Sequence, residues 1–295
     1  MHIDSFIQYL SFEKNYSRHT VEAYERDVKQ FFEFLKLEAV DSIGSVNYSI
    51  IRGWIAFLLE EGVSKRTANR KIASIKSFYK FLQVQGVIET NPLNLHKSLK
   101  ESRKIEVPFS VDEIRNLLDA EVDSNDFSSV RDQLIIELFY VTGMRRSELI
   151  ELKVTDLNFS TGTISIIGKR NKERKVPLLK SVSSHLKDYL VLRILIAPPE
   201  TKQLLLTNKG TKMYPNFVYR VIKSYFSTVS LKVKISPHIL RHSFATHLLN
   251  NGADLISVKE LLGHASLAST QVYTHMGIQS LKDVYGKTHP RSNKN

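Results

Sequence analysis

SPHILRHSFATHLLNNGADLISVKELLGHASLASTQVYT, residues 236–274, is the stretch from which the rest of the chain is read. Ser236-Pro237 reads as an N-cap followed by proline at the first helical position. The helix so opened runs to about Asn250 and stops at Gly252. His238 and Arg241 lie three apart, on one face of its first turn. That turn carries unpaired N–H groups and the positive end of the helix dipole, which suits an anion. Asp254 caps a second helix that ends at Gly263, and His264 follows directly. A third helix is predicted from near Ser266, with Tyr273 in its second or third turn. Two imidazoles, a guanidinium and a phenol in so short a region read as the centre of a phosphoryl-transfer site. Each has an ordinary alternative. A lone His or Arg in a basic protein is usually a surface or structural residue, and Tyr273 is one of 12 tyrosines. His238, His242 and His247 raise the question of a metal. No carboxylate lies between Ser236 and Asn250 and the chain has no Cys, so no metal is assigned.

At 295 residues the chain has room for one large domain or two ordinary ones, and 42% hydrophobic content is enough for a core. The net charge of +12 points to a polyanion, most plausibly nucleic acid. The absence of Cys excludes disulfides and Cys-ligated zinc and fits a reducing compartment. No apolar run approaches the roughly 20 residues that span a membrane. MHIDSFIQYL lacks the charged start and apolar core of a signal peptide. A cytoplasmic protein is expected.

Residues 1–100 read as all-helical. Phe6 and Leu10, then Tyr24, Val28, Phe31 and Leu35, recur at helical spacing. Thr20 is a candidate N-cap for the second helix; Asn47 or Ser49 opens a third and Ser64 a fourth. The fourth, Ser64 to Leu82, carries Lys65, Arg66, Arg70, Lys71, Lys76 and Lys80 opposite an apolar stripe of Ile72, Ile75, Tyr79 and Leu82. No acidic residue lies between Glu61 and Glu89. A charge run is usually a solvated face, but one this one-sided reads as a phosphate-contacting face, with Lys65, Arg66, Arg70, Lys76 and Lys80 as DNA contacts. Residues 101–107 read as a linker and 108–295 as a second domain. There, Ser110 to Glu113 form a capping box, Ser128 to Val141 is a helix broken at Thr142-Gly143, and Arg145 to Leu152 starts another. The period then changes. Thr163 to Ile167 and Arg174 to Leu178 read as a β-hairpin with a basic tip holding Lys169, Arg170 and Lys172. Helices resume near Ser181 and Tyr214. Arginine is unfavourable at a helix start, so Arg145 invites a second role. Glu148, three residues on, is placed to orient it.

TGMRRSELIEL, GKRNKERKVPL, SPHILRHSFATHLL and LLGHASLASTQVYTH, in this order and with His264 and Tyr273 nine residues apart, resemble the tyrosine site-specific recombinases, most closely their bacterial XerC/XerD branch. The resemblance implies a mainly α fold with a small β-hairpin or sheet: an N-terminal helical, SAM-like core-binding domain and a C-terminal catalytic domain that together form a C-shaped clamp on DNA. It places the family's two arginines on Arg145 and Arg241, its hairpin lysine on Lys169, its HxxR histidine on His238, its later histidine on His264 and its nucleophile on Tyr273. The acidic position that orients the first arginine falls on Glu148. Arg170 departs from the pattern, which commonly has Gly there.

That resemblance gives the residues a chemistry. The Tyr273 hydroxyl attacks a phosphodiester, leaving a 3′-phosphotyrosyl link and a free 5′-hydroxyl, with the ester energy kept and no cofactor required. Arg145, Arg241 and His264 stabilise the charge that develops on the non-bridging oxygens. Lys169 protonates the leaving 5′-oxygen and His238 takes the tyrosine proton. The family further implies a homo-tetramer, or a hetero-tetramer with a second recombinase, on two duplex sites. It also implies a DNA translocase of FtsK type as partner. Ile278, Leu281 and Val284 are available to fill a neighbour's groove. Resolution of chromosome dimers at segregation is the expected role. The main alternative is an integrase, transposase or invertase of a mobile element; the helical unit begins almost at Met1, which leaves no room for the arm-binding domain many phage integrases carry. A non-catalytic DNA-binding protein of the same fold would have lost the Tyr, an Arg or the Lys, and none is lost here. A type IB topoisomerase would share the chemistry without pairing sites, and an RNA-binding reading rests on charge alone.

Overall fold

The structure, a computed structural model, describes residues 2–40, 42–101, 107–168, 171–229, 235–263 and 278–292, the last segment with side chains from Lys282 onward. The chain divides into two compact units, Met1–Lys104 and Ile105–Asn295. Each has its own apolar core.

The first unit is helical: α1 (His2–Gln8), continued as one π-helical turn over Tyr9–Glu13, then α2 (Arg18–Leu37), α3 (Tyr48–Glu60) and α4 (Lys65–Val84). Asn47 caps α3 through its side chain, and the Ser64 hydroxyl accepts from the N–H of Thr67 to cap α4. Helix α2 begins earlier than its sequence indicates. Ser17 is the N-cap residue, and Thr20 sits inside the first turn with its hydroxyl 2.9 Å from that of Ser17. The core is aromatic, with Phe31 edge-on to Trp54 (4.9 Å between centroids) and Phe6 edge-on to Phe78 (5.2 Å). Ile72, Ile75, Tyr79 and Leu82 of α4 are all buried in it. Lys65, Arg66, Arg70, Lys76 and Lys80 lie on the exposed side.

One of these basic residues is already engaged. Asp27 on α2 is 1% exposed and accepts from both Nη atoms of Arg70, from Lys71 Nζ (3.3 Å) and from the Ser74 hydroxyl (2.8 Å). A carboxylate so buried is tolerable only when paired and hydrogen-bonded. The Arg70 charge therefore balances Asp27, whereas among the described residues the other four basic residues have no such buried carboxylate beside them.

In the second unit, α5 (Val111–Leu118) starts with the capping box of Ser110 and Glu113. Helix α6 (Phe127–Thr142) starts one residue before the sequence indicates, capped by Asp126, whose carboxylate accepts from the N–H groups of Ser128 and Ser129. Gly143 ends α6 at φ 57°. Short α7 (Arg146–Glu151) leads to an antiparallel sheet of β1 (Leu157–Asn158), β2 (Thr163–Ile167) and β3 (Glu173–Pro177), in that order. The hairpin of β2 and β3 is the predicted one; β1 is an addition, too short to show a period. Ile164 pairs with Val176 and Ile166 with Arg174. Helices α8 (Lys180–Ile194), α9 (Pro215–Ser227), α10 (Pro237–Asn250) and α11 (Leu255–Leu262) follow, and α12 (Ile278–Thr288) packs back on α10, α11 and β3. Among the described residues, no helix is long and apolar enough to cross a membrane.

Helix α12 is docked by polar groups as well as apolar ones. The buried Tyr285 hydroxyl donates to Val141 O (2.6 Å), and Tyr285 stacks on His289 at 4.8 Å. His289 Nδ1 accepts from the N–H of Arg291 (3.2 Å), which leaves Nε2–H facing Tyr140 O (3.4 Å). A neutral ring fits these partners. Burial, together with nearby Arg291 and His247, pushes the His289 pKa down to about 3 from 6.5. Below pH 6.5 the unfolded chain takes up a proton that the folded chain refuses, so stability falls as pH drops from 6.5 toward 3. The slope from this one group is at most about 1.4 kcal/mol per pH unit. His185 has the opposite sign. Its bond to Glu137 raises its pKa, so its contribution is full below its ordinary pKa and fades as pH rises through the raised value. Substituting His289→Gln, which keeps a donor and an acceptor but cannot titrate, is expected to flatten the pH dependence between pH 7.5 and 5.5 in melts followed by far-UV circular dichroism. The fluorescence transition of Trp54, the single tryptophan, reports the other unit and is expected to stay put.

Candidate active site

The local sequence delivers three helix ends to one place. Gly143 closes α6 in a left-handed conformation, and a Cβ there would lie 2.4 Å from Phe244 and 2.8 Å from Leu262. Only glycine lets the end of α6 meet α10 and α11 this closely. Gly263 closes α11 in the same way, at φ 64°.

Arg145 stands at the N-cap position of α7, as an extended residue just before the helix. Glu148 reaches back to it twice: Oε2 accepts from the Arg145 backbone N–H (2.8 Å) and Oε1 from Arg145 Nη1 (2.6 Å). The acidic residue thus serves the exposed N–H of the helix start, offsets the misplaced positive charge and fixes the side chain that carries it. Arg241, in the first turns of α10, donates from Nη1 to Gly143 O and from Nη2 to Leu262 O (2.7 Å). Arg145 Nη2 comes within 3.4 Å of Gly263 O. Both arginines therefore converge on the last turn of α11. His238, one turn before Arg241, is exposed. The Ser236 hydroxyl makes no capping bond, so at this helix start it is Pro237 at the first position that matches the expected signal.

A third arginine completes the cluster, and sequence reading assigned it no role. Arg174 on β3 donates from Nη2 to Glu148 Oε2 and from Nε to Leu261 O, each at 2.8 Å. Its signal was available in the strand period: Glu173 and Lys175 are exposed, while Arg174 lies on the inward face with Val176. An arginine at a core-facing strand position needs a partner.

The electrostatics follow. Burial would raise the pKa of Glu148, but the Arg174 bond, the Arg145 N–H and the Arg145 side chain together hold it below the usual carboxylate range. Burial, and then the neighbouring Arg145, pushes Arg241 down to about 10, still cationic at neutral pH. Three guanidiniums share one carboxylate, which leaves excess positive charge in a partly buried place. An anion with several oxygens, such as a phosphodiester, is the complement.

Lys169, Arg170, His264 and Tyr273 lie outside the described residues. So does the helix expected from near Ser266. Lys172 is exposed beside the hairpin tip, where its carbonyl accepts from Gly168 N–H (2.8 Å). Of the three histidines on α10, His238 and His242 are exposed, while His247 is buried with Nδ1 2.9 Å from the Tyr140 hydroxyl. Among the described residues, no three His or carboxylate side chains group as they would around a metal.

The family models and relatives that match the chain define its class, that of the enzymes that break and rejoin DNA strands. The chain belongs to the phage integrase family of tyrosine recombinases. The model for the phage integrase family matches residues 108–279, and that for the phage integrase N-terminal SAM-like domain matches residues 3–86. The tyrosine recombinase XerC of Anoxybacillus flavithermus is 39% identical over 294 residues, 98% of each chain. The XerC of Listeria innocua serovar 6a is 39% identical over 290 residues, 97% of each. Among solved structures, the XerH site-specific recombinase bound to difH substrate, a pre-cleavage complex, is 26% identical with a TM-score of 0.69, covering 95% of this chain and 82% of that one.

Proposed function

We propose that this chain is a site-specific recombinase of the Xer type, which cuts and rejoins duplex DNA through a 3′-phosphotyrosyl intermediate on Tyr273. The observation that carries the reading is the convergence of Arg145 and Arg241 on the carbonyls of residues 262 and 263. His264 is the next residue, and Tyr273 follows nine positions later. The reaction balances within the proposed residues. The Tyr273 oxygen forms the bond to phosphorus as the bond to the 5′-oxygen breaks. Lys169 gives that oxygen its proton, and His238 receives the phenolic one. Arg145, Arg241 and His264 neutralise the oxygens of the transition state, Arg145 from the orientation set by Glu148. Rejoining runs the same steps backward with a 5′-hydroxyl from the partner strand.

The exposed Lys65, Arg66, Lys76 and Lys80 on α4, with Arg170 and Lys172 at the hairpin tip, are proposed as phosphate contacts. Arg70 belongs with them only through what its bond to Asp27 leaves free. Such contacts set affinity and register, not the sequence recognised. The biological reading is resolution of chromosome dimers at segregation, in the cytoplasm, by a homo-tetramer or a hetero-tetramer with a second recombinase on two sites, with a translocase of FtsK type as a partner. In the single chain, α12 is docked on its own unit, so exchange between protomers would require Tyr285 and His289 to leave that seat.

The test uses nicked duplexes that trap the cleaved state, carrying either candidate chromosomal sites or the ends of mobile elements, with a denaturing gel to reveal a covalent adduct. An adduct on a chromosomal site is expected. An adduct on element ends alone would move the role to the mobile-element alternative. Tight binding with no adduct on any site, even after a second recombinase is added, would leave a binding protein of the same fold.

A further inference from the structure

We propose that Arg174 is a positioning residue for strand cleavage, one that sets Arg145 and the last turn of α11 in register through Glu148 and Leu261. The proposal rests on Arg145 being a phosphate clamp. Three consecutive carbonyls at the end of α11 each receive a different arginine: Leu261 O takes Arg174 Nε, Leu262 O takes Arg241 Nη2, and Gly263 O takes Arg145 Nη2. Two of these arginines are proposed to act on the phosphate. Arg174 faces inward, 10% exposed, with Nε and Nη2 bonded to protein groups. A Cβ on Gly263 would sit 3.0–3.3 Å from its Cδ, Nη1 and Nε, so the α11 terminus is moulded on this side chain.

The connection to Arg145 runs through one carboxylate. Glu148 Oε1 holds Arg145 Nη1, while Oε2 is shared between Arg145 N–H and Arg174 Nη2. Without Arg174, the carboxylate keeps its two bonds to Arg145 but loses the one that ties the pair to β3, so the Arg145 fork is no longer held in register with the hairpin and the end of α11. On the other side, Leu261 O loses its donor two residues before Gly263. The turn that leads into His264 is then held by Arg241 and by the longer Arg145 contact. Hairpin, α7 and α11 are thus tied at one atom group, and a guanidinium suits it because the two bonds come from two separate nitrogens, Nε and Nη2. An ammonium can satisfy Glu148 or Leu261 O from one point, but not both with the same aim.

The experiment measures the single-turnover cleavage rate at saturating protein, on the nicked duplex with which the wild-type chain forms its adduct. Affinity for that duplex and the melting temperature are measured alongside. Arg174→Met is expected to slow cleavage about 10- to 100-fold, the size of effect that misplacing a reacting group produces, with duplex affinity within about threefold of wild type, since no phosphate contact is removed. Arg174→Lys is expected to restore melting but not the rate, a split that a purely structural residue would not give. In an Arg145→Lys background, Arg174→Met is expected to add less than about threefold, because residues that act as a unit are not additive. Wild-type cleavage by Arg174→Lys, or a full multiplicative loss on top of Arg145→Lys, overturns the positioning role. An Arg145→Lys protein that cleaves like wild type overturns the clamp itself, and this proposal with it. Should Arg174→Met fail to fold, the Lys variant alone decides, through its rate at unchanged melting temperature.

Discussion

A Tyr273→Phe protein is expected to bind the recombination site as tightly as the wild type and to form no covalent adduct with it. The substitution removes one oxygen. A neutral phenol and a phenyl ring carry the same charge, so net charge, and with it the salt dependence of binding, stays the same. Cleavage needs a nucleophile that becomes the phosphate ester, and no other group in the proposed set can take that place: the arginines and lysine are cations, and histidine is assigned the proton. The loss is expected to exceed about 10⁴-fold, or more than roughly 5 kcal/mol in the barrier, and to read as no adduct on a denaturing gel. Other tyrosines of the same unit are poor substitutes. Tyr285 and Tyr140 are buried, with hydroxyls bonded to Val141 O and His247, and burial raises both pKa values. Tyr189 is likewise buried, pushed up to about 12, and donates to Leu204 O. Tyr214 and Tyr219 are partly exposed. An adduct that persists in Tyr273→Phe would direct peptide mapping to those two first, and would break the assignment of the nucleophile.

The contrast between what was legible and what was not follows the range of the interactions. Helix starts at Asn47, Ser64, Ser110 and Asp254, and stops at Gly143 and Gly263, rest on bonds within three or four residues, and the residue type announces them. Where two capping types compete, the reading slips by a turn. Thr20 reads as a candidate N-cap, although its hydroxyl bonds that of Ser17 and only Ser17 lies outside the helix. The apolar stripe of α4 was readable from its period, but the fate of Arg70 was not, because Asp27 lies 43 residues away. The same holds for the site. Arg145 and Glu148 are neighbours on one turn and could be paired from sequence, whereas Arg174 meets Glu148 across 26 residues and Leu261 across 87. Long-range charge pairing leaves no local trace except an arginine on the wrong face of a strand.

Arg241→Ala is the other large effect expected, and it separates two jobs of one side chain. In the proposed clamp role, Arg241 would neutralise a non-bridging oxygen of the scissile phosphate. As an anchor, it donates to Gly143 O and Leu262 O and so joins the ends of α6 and α11. Alanine removes both, and cleavage is expected to fall at least about 10³-fold, in the range seen when a preorganised donor to a developing charge is lost. Melting is expected to drop as well, since two buried carbonyls lose their donors at about 1–3 kcal/mol each when left unpaired. The jobs part company on a substrate whose scissile phosphate carries a methyl group in place of one non-bridging oxygen. That linkage starts neutral and carries one negative charge fewer in the transition state, so the clamp has less to do, while the anchor is as necessary as before. The deficit of Arg241→Ala relative to wild type is expected to shrink to about tenfold on the neutral linkage, while the melting deficit of the protein is untouched. A deficit of the same size on both linkages would mean that Arg241 acts through the turn before His264 alone. Burial and the neighbouring Arg145 already press the Arg241 charge toward neutrality, to a pKa of about 10. A clamp in that position gains from an anion between the two arginines, because the anion relieves the repulsion between the two guanidiniums.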